Sequence, residues 1–228
     1  MGNYFQKTKH LFLNTSTFFN TVKVKNEKSY FQILKFFVII YIIYQLISAV
    51  LLVPAIRMMS QTPAMENLGL LSILGIIFGI IFAFILPFIS AILTHIGVLI
   101  VGGRQGLFNT FKPVTYALVI SVVYNIFSSI ASFFLNFIYP IDTNILQKTM
   151  FSFHDFPIPH IVLGAVIGIS SFIHTIYAEV IGISKFQKMS KLRAFFGVIL
   201  IPLAIILFIA FLLIVVFGLS FGLLNKFG

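Results

Sequence analysis

The chain has 228 residues, 60% of them hydrophobic and only 9% charged, with a mean hydropathy of +1.10; ordinary soluble domains, about a quarter charged, are excluded. A net charge of +10 would indicate nucleic acid in a soluble protein. Here the basic residues stand in short segments beside apolar stretches, so anionic lipid headgroups are the simpler partner and no nucleic acid is expected.

Cysteine is absent, which removes disulfides, thiol catalysis and Cys-based metal sites. Tryptophan is absent too, and most of the 29 Phe are expected to face lipid or pack between helices, since Phe lacks the polar tip that holds Tyr at an interface.

Residues 1–30 form a basic N-terminal segment in which Lys7, Lys9, Lys23, Lys25 and Lys28 are opposed only by Glu27. The pairs Tyr4/Phe5, Leu11/Phe12 and Phe18/Phe19 recur every seven residues and share one helical face. That pattern predicts an interfacial helix on the membrane surface; a helix packed under a bundle, or a partly disordered tail, fits it as well. Asn14-Thr15-Ser16 reads as a helix-cap signal.

Residues 31–228 form one membrane domain with five apolar blocks at about 31–53, 68–101, 113–138, 158–181 and 194–224. Each reaches the roughly 20 residues needed to cross a hydrocarbon core about 30 Å thick. The first block follows a basic stretch and is too long for a cleavable signal, so it reads as an uncleaved anchor.

Prolines punctuate these blocks. Pro54 and Pro140 follow the first and third, Pro113 opens the third, and Pro157 and Pro159 precede the fourth. Pro87 and Pro202 lie within spans, where kinks are expected. The second block, bent at Pro87, is read as one long helix.

Small residues four apart occur at Gly75/Gly79/Ala83, Gly164/Gly168 and Gly218/Gly222, spacing that serves close helix packing within the chain. Spans two and four each run to a glycine (Gly102, Gly182), pass a basic loop and return, as two units of a parallel repeat would.

The charges orient the bundle. Lys7, Lys9, Lys23, Lys25, Lys28, Lys35, Arg104, Lys112, Lys185, Lys188, Lys191 and Arg193 fall on one side, and only Arg57, Lys148 and Lys226 on the other. The positive-inside rule then puts the N-terminus in the cytoplasm and the C-terminus outside. The all-α fold expected is a polytopic five-span bundle.

Three ionisable residues fall inside spans, where a charge costs about 2.5–3.5 kcal/mol at mid-membrane: His95, His174 and Glu179. A metal or proton site there is the sharper reading. Hydrogen bonding of neutral His to a neighbouring helix is the plainer and favoured one, and no metal or cofactor is expected. In the first inner loop, Gly102, Gly103 and Gly106 beside Arg104 suit either a tight turn, which is favoured, or a backbone cradle for a lipid phosphate. The HExxH signature is missing, as is an intramembrane Asp pair. An enzyme is not expected.

The stretch GGRQGLFNTFKPVTYA (102–117), after an apolar helix containing Pro87, resembles the Gly-Gly-basic-Gly-x-Phe…Tyr-Ala segment of the Yip family, the Ypt/Rab-interacting membrane proteins. Gly182, Ser190, Arg193 and Ala194 match the family's last helix pair, and Tyr116 its Tyr-Ala pair. The resemblance covers about residues 10–215.

It implies five spans with a cytoplasmic N-terminus, and a role in organising membranes or binding partner proteins, as in vesicle traffic. Small GTPases are the partners of eukaryotic members, whose longer arm carries an Asp-Leu-Tyr-Gly-Pro-like motif; this chain has about 28 residues there and lacks it. It is similar to short prokaryotic members, which places it in a prokaryotic cell membrane. The basic residues Lys23, Lys25, Lys28, Arg104, Lys112, Lys185, Lys188, Lys191 and Arg193 are the expected contact face for lipid or an unidentified protein. A small transporter or channel with a cleft near Pro87, His95 and His174 is the alternative.

Overall fold

The computed structural model describes residues 2–21, 24, 27–59, 68–140, 157–200, 203–204, 207–208, 211–212 and 215. These form α1 (Gly2–Leu13), α2 (Thr15–Phe18), α3 (Tyr30–Met59), α4 (Leu68–Ile100), α5 (Phe108–Ile138), α6 (Ile158–Phe186) and α7 (191–200), with no strand among the described residues. Four helices have the length and apolarity to cross a membrane, over Tyr30–Leu51, Leu74–Ile100, Phe108–Ile138 and Ile158–Phe186. Most of the expected fifth span, 194–224, lies outside the described residues, as do Lys23 and Lys25.

Helix α5 is the hub, packing on α3, α4 and α6. Its first turns are enclosed on every side: Phe111 through Ala117 are all buried. The shell around them comes from Phe18 and Phe19 of the N-terminal segment, from Phe36 and Phe37 of α3, and from Ile181 and Ile183 of α6. Away from this end the helices expose apolar side chains such as Phe82, Ile169 and Phe172. In lipid such exposure carries no hydrophobic penalty, because acyl chains are as apolar as the residues they touch.

The element boundaries differ from the expected ones in an informative way. Helix α3 runs past Pro54 to Met59. Helix α5 begins at Phe108, not at Pro113, and α6 continues through Gly182 to Phe186. Proline inside a helix forfeits one N–H bond and crowds the preceding turn. Helix α6 packs directly on the Pro113 ring because Gly182 has no side chain: a Cβ there would collide with that ring and come to 3.0 Å from Phe19. Gly182 therefore marks a helix crossing, not a helix end.

The N-terminal pairs turn their apolar face to the bundle. Leu11, Phe18 and Phe19 are buried, Tyr4 stacks on Phe36, and Phe12 meets Tyr124, Phe127 and His174. Phe5 and Leu13 remain exposed, at 73% and 62%. Asn14 holds the N-cap position of α2, though its side chain makes no capping bond.

Candidate functional site

The site is the end of the bundle where the α4–α5 turn and the α6–α7 turn meet. Both helices entering it stop in the same manner. At the end of α4 the Gly103 N–H donates to Val98 and the Gly102 N–H to Leu99, with Gly102 at φ +93°. At the end of α6 the Met189 N–H donates to Ser184, with Lys188 at φ 53°. This is the left-handed closure that normally selects glycine. Gly106 also needs positive φ, at 80°. The glycines of the first loop thus serve a turn, and the backbone N–H groups of Gly102, Gly103 and Gln105 all have partners inside the protein.

A residue with no warning in the sequence joins the two turns. Gln187, 3% exposed, accepts the Gln105 N–H at 2.9 Å and donates to the Gly106 carbonyl and the Thr110 hydroxyl, each at 2.9 Å. Thr110 in turn shares a 2.8 Å hydrogen bond with His95 Nδ1. Gly103 lies beneath Met189, whose Cε would be 2.8 Å from an added Cβ. Segments some eighty residues apart in sequence thus form one surface. It carries the exposed side chains of Arg104, Lys185, Lys188, Lys191 and Arg193, with Lys28 exposed on the N-terminal segment. Ser190 caps α7 by accepting the Arg193 N–H at 3.4 Å, and Ala194 is buried.

Lys112 was expected on this face and is instead 2% exposed. Because α5 starts before Pro113, Lys112 occupies a helix and not a loop. Its ammonium donates to the carbonyls of Val24 (2.9 Å) and Glu27 (2.6 Å) and lies over the rings of Phe108 and Phe186. A buried cation is tolerable only when so satisfied.

The Glu27 carboxylate accepts from Lys7 at 2.7 Å and from the buried Tyr116 hydroxyl. Lys7 itself sits over Phe36 and Tyr116. Lys112, Tyr116 and Lys7 together clamp the N-terminal segment to the bundle, and the lone acid of that segment is neutralised from within. Its isolation among lysines was the one sequence signal for this clamp.

The intramembrane candidates do not converge. His95 belongs to the Thr110–Gln187 network. His174 shares hydrogen bonds with Thr15 (3.1 Å) and Tyr124 (3.4 Å) and packs on Phe12, holding the N-terminal segment. Glu179 is partly exposed. No grouping of acidic and His side chains that could hold a metal occurs among the described residues. Pro87 lies within α4, a single helix across it.

Comparison with curated proteins and with solved structures gives no match. The Yip1 domain does match, over residues 9–214. That stretch takes in Glu27, Lys112 and Tyr116 of the clamp, both turns and all four described spans, and the integral, multi-pass membrane protein they build belongs to the Yip1 domain family.

Proposed function

We propose that this is a non-enzymatic membrane-organising or partner-binding scaffold, acting through the composite basic face at a cytoplasmic end of a five-span bundle. The observation that carries it is the Gln187 bridge, which merges two distant turns into one surface bearing Arg104, Lys185, Lys188, Lys191 and Arg193. Those cations are exposed, and Glu27, the one acid of the N-terminal segment, is occupied. Basic side chains beside a span attract anionic headgroups by about 1 kcal/mol each, and an acidic protein surface would be held by the same charges. Phe5 and Leu13, exposed on α1, supply the apolar contact of an interfacial helix.

The test is charge reversal of Arg104, Lys188, Lys191 and Arg193 to Glu, with crosslinking and pull-down from native membranes and mass spectrometry of co-purified lipid. At least a fivefold loss of captured protein or anionic lipid is expected. Unchanged capture of both sinks the reading.

A further inference from the structure

A polar groove of about 400 Å³ lies on the seam of α5 and α6, away from the basic end. Ser121, Asn125 and Ser128 line it from α5, and Gly164, Gly168 and Ser171 from α6. The α5 residues are spaced four and three apart, so they form one helical stripe. Asn125 is exposed in the middle of a span. In hydrocarbon, polar side chains with no partner are costly, and they mark a conduit or a contact. Thr175, one turn beyond Ser171, adds a second observation: the residue lines the groove, and its hydroxyl oxygen is buried with no hydrogen-bond partner among the described residues. Among the described residues the glycine pair, expected to bring helices together, does not do so, since a Cβ on either Gly164 or Gly168 would meet none of them within 4 Å.

We propose that this groove is a track for phospholipid headgroups, and that the protein moves phospholipid between leaflets without an energy source. From Gly164 to Thr175 the lining extends over twelve residues, roughly 16 Å of helix and about half of a core some 30 Å thick. That half is the middle, where a headgroup loses most of its hydration. Hydroxyls and an amide donate and accept there in place of water, while the open side leaves the acyl chains in the bilayer.

Other occupants fit less well. Residues 201–224 carry a single polar side chain, Ser220, and cannot satisfy the lining. A second copy would oppose one concave groove to another and enclose a space instead of filling it.

The experiment uses the full chain in phosphatidylcholine–phosphatidylglycerol vesicles with a trace of acyl-NBD phosphatidylcholine, quenched from outside with dithionite. Protein-free vesicles keep about half of their signal; wild-type vesicles are expected to lose most of it. Asn125→Leu with Ser171→Leu is expected to slow the loss at least tenfold, and so is Gly168→Phe, which fills open space. Leu99→Val on exposed α4 is the neutral control. Elution volume and melting temperature confirm that each variant is folded. A wild-type plateau at half signal overturns the proposal, as does full speed in both groove variants. Because the chain has no cysteine, Asn125→Cys gives a clean check of the rival occupant. Quantitative disulfide dimers in native membranes would assign the groove to a second copy and overturn it too. Charge reversal at the basic end leaves this groove intact, so failure of one idea is distinguishable from failure of the other.

Discussion

Lys112 and Thr115 show how little a residue's type says about its place. A lysine next to a proline and shortly after a glycine-rich loop looks like a loop cation, yet Lys112 holds two backbone carbonyls in the core. Thr115, one turn from Phe111, is fully buried, and its hydroxyl has no partner among the described residues. An unpaired buried hydroxyl costs about 1–3 kcal/mol, whereas an apolar group of the same shape costs nothing. Thr115→Val is therefore expected to stabilise the protein by about 1 kcal/mol, read as a higher melting temperature in detergent. A lower one would reveal a partner for that hydroxyl. Glycine was more legible: the left-handed turns at Gly102 and Gly106 follow from the Gly-rich motif itself. Gly182 was misread as a helix end, because a sequence does not show which neighbour a missing side chain makes room for.

At the scale of elements, the four described spans were predictable from apolar length, since any segment entering hydrocarbon must satisfy its own backbone bonds as a helix. Their ends were not. The α5 and α6 termini extend into the basic end, where protein packing replaces lipid and no longer follows hydropathy. The N-terminal segment shows the same effect: its heptad pairs announced an apolar face, but Tyr4, Leu11, Phe12, Phe18 and Phe19 pack on the bundle. Gln187 is the joint between the turns, and Gln187→Ala would leave the Gln105 N–H and the Gly106 carbonyl to find water. A loss of about 1–2 kcal/mol is expected, with faster hydrogen exchange confined to 103–110. Uniform exchange across the bundle, or no change, would show that the turns do not depend on this side chain.

For the whole molecule, the orientation proposed from charge can be read directly on the cysteine-free chain. Lys191→Cys is expected to react with an impermeant maleimide only after the cells are permeabilised, and Pro140→Cys in intact cells. The reverse pattern would invert the topology and move the basic face outside.

What the sequence determined alone is the solvent of this protein: long apolar blocks, few charges and a one-sided distribution of cations dictate helices in lipid and suggest their direction. Those properties are sums over local residues, and sums survive ignorance of contacts. Only the tertiary structure decided which cations are exposed and which are buried, that Gln187 fuses two turns, that the two intramembrane histidines serve separate networks, and that a polar groove opens between α5 and α6. Each depends on residues brought together from far apart in the chain, where one hydrogen bond or one missing Cβ selects among partners that composition cannot distinguish.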